Sequence, residues 1–199
     1  RYYPDKTNIK DLKSEIDKDG LILMDKALVD GWVFKYEVPK WIDTARAELG
    51  QKEIPGDKSN SRIQEYYASA GIKNAKSQND DDIPWCACFV AWVMKKNGFT
   101  PVKNPAWSLN WKKFGTELDR PRFGALAIKT RNGGGHIGYV LGQSGDGNKL
   151  FILGGNQSDE VNIRQYKKTA FTSFVAPEGS ILSEAPLYIG KKNENSKES

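Results

Sequence analysis

The two cysteines and the single histidine are the residues of this 199-residue chain best suited to nucleophilic chemistry. Cys86 lies in "PWCACFVAWVMKKNG", where an apolar helix is predicted to begin, and Cys88 follows among apolar neighbours. Only a thiolate is a good nucleophile, and a helix N-terminus lowers the pKa of a thiol. Cys86 is therefore the candidate nucleophile, whereas Cys88 is predicted to pack in the core, the usual role of a free cysteine.

A disulfide and a metal site are the other uses that two cysteines could have. Side chains two positions apart on one helix point in different directions, so Cys86 and Cys88 do not easily form a bridge. A zinc site takes four ligands, or three plus water, and these cysteines with one histidine would need a further carboxylate. The sequence predicts no metal, and no feature of it calls for a cofactor.

The histidine, His136, lies in "NGGGHIGYVLG", where a glycine-rich loop leads into a predicted strand. An ordinary histidine at a strand start is the alternative interpretation. A thiol at a helix start and an imidazole on a later strand suit a dyad, in which histidine takes the thiol proton and returns one to the leaving amine. A third group should orient the imidazole. We predict Asn156 for this role, with Asp159 and Glu160 behind it, although a plain turn residue is the alternative.

Several elements must position these residues. Apolar residues at helical spacing predict helices in "KWIDTARAELG", "SRIQEYYASAG" and "PWCACFVAWVMKKNG", and a short one in "NPAWSLNWKKFG" with Trp107, Trp111 and Phe114 facing inward. After Gly115, five short runs rich in β-branched and aromatic residues predict strands, and "SGDGN" predicts a hairpin turn. Helices followed by antiparallel strands define an α+β fold.

The chain divides into three predicted regions. Residues 1–38 form an N-terminal extension, 39–176 the catalytic domain, and 177–199 a trailing segment that ends in the charged, disordered tail "KKNENSKES". The formal net charge of +5 favours anionic partners such as nucleic acid, a membrane surface or a bacterial cell wall, with plain solubility as the alternative. No basic stretch is interleaved with aromatics, so we predict no nucleic-acid partner. No apolar run is long enough for membrane insertion.

Three blocks, "PWCACFVAWVMKKNGF", "GGGHIGYVLG" and "LGGNQSDEVNI", together resemble the CHAP family (cysteine, histidine-dependent amidohydrolase/peptidase). They are most similar to a branch found in phage endolysins and bacterial cell-wall amidases, which is akin to the NlpC-type papain-like hydrolases. The upstream "EIPGDKSNSRIQEYY" fits this branch, which carries a similar Glu-x-Pro-Gly loop before a helix. The resemblance covers roughly residues 40–176.

The resemblance implies a papain-like α+β fold in which the nucleophile helix packs on a small antiparallel β-sheet. It also implies hydrolysis of an amide bond in peptidoglycan, by an amidase or an endopeptidase, through a thioester acyl-enzyme. By position, Cys86 matches the nucleophile, His136 the general base and acid, and Asn156 the orienting residue. Many CHAP enzymes have Glu-x-Asn in the third block, whereas this chain has Gly154-Gly155-Asn156.

Trp85 and Gln157 are candidate substrate-binding residues, because each is next to a proposed catalytic residue in the chain. Core packing is the alternative for Trp85, and shaping of the turn is the alternative for Gln157.

Other functions and several biological settings are compatible with these residues. A papain-like thiol hydrolase or acyltransferase acting on proteins or small amides is one alternative, and an inactive cell-wall-binding module is another. The expected partner is bacterial peptidoglycan. The protein is expected to be secreted or to act in the periplasm or cell wall of a target bacterium, as a phage lysin, a remodelling enzyme or an antibacterial effector. An effector, a toxin delivered into rival bacteria, would imply a cognate immunity protein.

Overall fold

The computed structural model describes residues 38–54, 59–72, 84–131 and 133–182, together with the backbone of five short strands. Four of these strands form two antiparallel pairs, β1 (Glu15–Ile16) with β2 (Ile22–Leu23) and β3 (Lys26–Val29) with β4 (Trp32–Lys35). The fifth is β11 (Tyr188–Ile189). The prediction of a disordered tail at residues 191–199 falls outside the described residues, and the division into three regions stays a prediction.

Within the described ranges, three α-helices precede the sheet, each close to its predicted position. They are α1 (Lys40–Arg46), α2 (Ser61–Ser69) and α3 (Cys86–Lys96). Asn60 is the N-cap of α2, because its side chain accepts a hydrogen bond from the backbone N–H of Arg62 at 2.8 Å. A glycine with positive φ follows each helix, at Gly50, Gly71 and Gly98, as expected for C-terminal stops.

A seven-stranded, mostly antiparallel sheet follows the helices and confirms the α+β class. Its main path runs β5-β10-β6-β7-β8-β9, and β11 pairs with β7 in parallel. The strands are β5 (Gly115–Leu118), β6 (Leu126–Arg131), β7 (Gly134–Gln143), β8 (Lys149–Gly154), β9 (Asn162–Lys167) and β10 (Ser173–Pro177). The five predicted strands are present, whereas β5 is too short and polar to have been predicted.

Helix α3 is the centre of the core. It packs against β7 and β8 on one side and against α1 and α2 on the other, so every residue from Cys86 to Met94 is buried. A helix that is apolar all round is expected to be covered on all sides. This arrangement holds the first residue of α3 at the surface of the sheet, next to the start of β7.

The segment before β5 differs from its prediction. Residues Ser108–Lys113 form a 3₁₀ helix, with Trp111 and Phe114 buried as expected, but Trp107 is 50% exposed. At three residues per turn, residues three apart share a face, whereas Trp107 is rotated from Trp111 by about 120°. The prediction that Trp107 faces inward was therefore wrong, because it assumed α-helical geometry.

Candidate active site

Cys86 is the first residue of α3 and lies against the start of β7. Its side chain is 3% exposed, and its sulfur receives hydrogen bonds from the backbone of Ile137, the residue after His136, and of Ala87. The start of α3 and the start of β7 are thereby brought together. Cys86 thus lies beside the residue that follows His136, although the two segments are far apart in the chain.

The two thiols differ in surroundings although both are free and buried. Burial raises the pKa of Cys86, while the backbone hydrogen bond from Ile137 and the charge of Arg131 act in the opposite direction. Cys88 is wholly buried, and burial raises its pKa to about 12. Cys88 is accordingly a packing residue, as predicted, and Cys86 is the thiol with groups around it that stabilise a thiolate.

The His136 imidazole is bound by Gln157. His136 Nε2 lies 3.1 Å from Gln157 Oε1, and both side chains are buried, at 5% and 2% exposure. An amide oxygen only accepts hydrogen bonds, so Nε2 must carry the proton. The neutral imidazole therefore keeps its lone pair on Nδ1, the form that can take a proton from a thiol.

The orientation of the Gln157 amide follows from its other partners. Its Nε2 donates to the backbone oxygen of Asn162 at 2.7 Å, to Asn162 Oδ1 at 3.0 Å and to the backbone oxygen of Ile152 at 3.3 Å. The Tyr166 hydroxyl donates to the same Oε1 that accepts from the imidazole, at 2.9 Å. Because all these donors and acceptors agree, the oxygen of the amide faces His136.

The predicted orienting residue, Asn156, is the chain neighbour of Gln157 but is not the residue that bonds the imidazole. Asn156 is half-buried with φ at 55°, in a tight loop where Ser158 and Asp159 also have positive φ. The fold of this loop also explains why a glycine stands at position 154, where many CHAP enzymes have glutamate. A Cβ at Gly154 would lie 3.3 Å from the Gln157 amide, so this amide occupies the space of a side chain at position 154.

The two substrate-binding predictions do not agree with the structure, because both side chains are buried. Trp85 is 1% exposed, stacks on Tyr66 and donates from Nε1 to Glu53 Oε1 at 2.7 Å. Gln157 faces His136 instead of solvent. Glu53 begins the Glu-x-Pro-Gly loop, so this hydrogen bond ties the loop to the residue before the nucleophile.

A cleft of about 570 Å³ gives access to Cys86. Its described lining is Pro84, Cys86, Ala106, Trp107, Ser108, Arg131, Gly133, Gly134 and Gly135. The ring of the exposed Trp107 lies close to Gly134, since a Cβ added there would be 3.9 Å from it. Gly135 has no such room, because its Cβ would lie 2.6 Å from the Ser108 hydroxyl. The glycines thus leave backbone, rather than side chains, along one wall.

Positive charges surround the imidazole. Burial lowers the pKa of His136 to about 4, although its hydrogen bond with Gln157 acts to raise it, and Lys129, Arg131 and Arg164 lower it further. Lys129 is the strand partner of His136, and its ammonium lies 4.2 Å from the centre of the Tyr166 ring. The neutral imidazole is therefore favoured at neutral pH.

The described part of the chain offers neither a cluster of metal-binding side chains nor a membrane-spanning helix. No group of three or more His, Cys, Asp or Glu side chains there could hold a metal ion. Nor does that part contain a helix with the length and apolar character to cross a membrane.

Comparison with known families agrees with the site. Residues 78–156 match the CHAP domain, which confirms the resemblance seen in the sequence. This match indicates a hydrolase of the amidase or peptidase type that acts on peptidoglycan. It spans α3 and strands β5 to β8 and ends at Asn156, one residue before Gln157. No curated protein matched the chain.

Proposed function

We propose that this protein hydrolyses an amide bond of the peptidoglycan peptide, with Cys86 as nucleophile and His136 as general base and acid. The observation that carries the proposal is the His136–Gln157 hydrogen bond, which leaves Nδ1 of the neutral imidazole as a proton acceptor. Gln157 takes the place that the sequence suggested for Asn156, as a positioning residue. The α+β architecture, with α3 packed on β7 and β8, is compatible with a papain-like enzyme.

In the proposed reaction, His136 Nδ1 takes the thiol proton as the Cys86 sulfur attacks the amide carbonyl. The tetrahedral intermediate places negative charge on the former carbonyl oxygen. The first N–H groups of a helix have no partner within the helix, so the backbone N–H of Cys86 is a suitable oxyanion donor. The imidazolium then protonates the leaving amine, the carbon–nitrogen bond breaks, and a thioester remains. Water, deprotonated by His136, attacks the thioester and releases the acid and the thiol.

The resting dyad is proposed to be neutral. Burial raises the pKa of the Cys86 thiol and lowers that of the His136 imidazole to about 4, so both effects disfavour a thiolate–imidazolium pair. The proton would then move as the substrate carbonyl is attacked. The hydrogen bonds from Ile137 and Ala87 support the sulfur at the moment it becomes anionic.

Digestion of purified peptidoglycan, followed by mass spectrometry of the released fragments, tests the proposal. The wild type should cleave, and Cys86→Ala should not. Cys88→Ala is the matched control, because it removes a second buried thiol two residues away and should keep the activity. Intact walls after treatment with the wild type, or cleavage by Cys86→Ala, would defeat the proposal.

The new chain ends would show which bond is cleaved. A free lactyl carboxylate on the glycan indicates an amidase, whereas new ends within the peptide indicate an endopeptidase. The setting as phage lysin, remodelling enzyme or delivered effector stays a proposal, as does action in the periplasm or wall of a target cell. For an effector, an immunity protein that copurifies and blocks the Cys86 cleft would be the supporting finding.

A further inference from the structure

The cleft carries a positive charge, which the binding of an uncharged amide would not require. Among the nine described residues that line it, Arg131 is the only one with a formal charge. Arg131 is the last residue of β6 and pairs with Gly134, next to the turn between β6 and β7. Its side chain is exposed. The cleft therefore presents one guanidinium and no carboxylate from its described lining.

That guanidinium has no partner within the described parts of the chain. Arg62 and Arg122 have carboxylates within 4 Å, but Arg131 makes neither an ion pair nor a side-chain hydrogen bond with any described residue. Its positive charge nevertheless acts on both Cys86 and His136. It opposes the rise that burial causes in the pKa of Cys86, and it adds to the fall in the pKa of His136. A planar guanidinium offers paired N–H groups that match a carboxylate.

We infer that Arg131 selects a substrate that carries a free carboxylate beside the scissile amide. The inference rests on the proposed function for the direction in which the substrate enters the cleft. The carboxylate would lie at the hairpin wall of the cleft, where Gly133 and Gly134 have no side chains to exclude it. The apolar Trp107 ring borders the same space and would cover the uncharged part of the substrate.

Binding to the uncleaving Cys86→Ala protein tests this inference without hydrolysis. The probes are two matched pairs made from the tripeptide L-alanyl-γ-D-glutamyl-L-lysine. In one pair the glutamyl α-carboxylate is free or converted to the carboxamide, and in the other the C-terminal carboxylate is changed in the same way. Calorimetry at low salt should show that one acid binds about tenfold more tightly than its amide, the effect of a charge-assisted hydrogen bond.

Arg131→Gln in the same background should reduce that ratio to about one, and Arg131→Lys should keep part of it. Arg164→Gln is the matched control. Arg164 also acts on His136 and is exposed, but it bonds Ser158 and does not line the cleft, so its removal should leave the ratio unchanged. Equal binding of acid and amide in both pairs would overturn the inference, as would a ratio that survives Arg131→Gln.

The two proposals can fail separately. If the protein discriminates between acid and amide but cleaves no wall, the proposed function is wrong and the anion site at Arg131 is supported. Cleavage of the wall without discrimination would do the reverse.

Discussion

Replacement of Gln157 should show whether this residue orients the His136 imidazole. Gln157→Ala removes the acceptor for both His136 Nε2 and the Tyr166 hydroxyl, and the donor to Asn162 and Ile152. Buried partners left without a hydrogen bond cost about 1 kcal/mol or more each, so unfolding should become easier by roughly 3–5 kcal/mol. Loss of an orienting partner should lower kcat by roughly 10–100-fold, with little change in KM.

Two further variants make the experiment specific. Gln157→Glu keeps an oxygen for the imidazole and adds a negative charge, so it should restore part of kcat. The same charge should raise the pKa of His136 above its value of about 4, which moves the acidic limb of the pH–rate profile to higher pH. Asn156→Gly removes the neighbouring side chain while glycine accepts the φ of 55°. It should retain kcat.

The assay is the hydrolysis of a soluble muropeptide across pH, with circular dichroism to confirm that each variant is folded at the assay temperature. If Gln157→Ala keeps its kcat while Asn156→Gly loses it, the orienting role returns to Asn156 and the reasoning from hydrogen-bond geometry fails. A pH–rate profile of Gln157→Glu identical to that of the wild type would count equally against it.

Three other predictions follow from the site. Alkylation of Cys86 by iodoacetamide should accelerate as the pH rises above neutral, because burial raises its pKa; a plateau already present at pH 5–6 would indicate a preformed ion pair instead. His136 is the sole histidine, and its imidazole proton resonance should titrate near pH 4. Between pH 6.5 and pH 4 the unfolded chain binds a proton at His136 and the folded protein does not. The free energy of unfolding should therefore fall by about 3 kcal/mol as the pH is lowered across this range. A His136→Gln variant that loses the same stability on acidification would contradict this. Gly155→Ala places a Cβ 2.5 Å from the Trp85 ring and should destabilise by about 1–3 kcal/mol in urea unfolding, whereas Gly145→Ala, with open space around it, should not.

Local sequence patterns were sufficient for the three α-helices and for five strands of the main sheet. The apolar spacing places the helices, and Cys86 lies at the start of α3, where the sequence predicts that a helix begins. We expected Cys86 to approach the start of β7 only because a thiol and an imidazole can act together as a catalytic dyad. The structure supports it with the Ile137 backbone hydrogen bond to the sulfur.

The orienting residue could not be read from local patterns. Asn156 and Gln157 are adjacent polar residues in one turn, and the choice between them depends on backbone angles fixed by distant contacts. The loop folds back through a hydrogen bond from the Gln157 N–H to the Glu160 oxygen, and β9 supplies Asn162, which holds the amide. The burial of Trp85 depends in the same way on Glu53 and Tyr66, which lie far from it in sequence.

The position of β10 has a consequence for how the protein folds during synthesis. β10 pairs with β5 on one side and β6 on the other, so it fills a gap between two strands that are made much earlier. Until residue 177 has left the ribosome, β6 has an open edge of unpaired N–H and C=O groups next to the strand that carries His136. The sheet can close only when nearly the whole described chain is present, so nascent chains shorter than this should be the ones that need a chaperone.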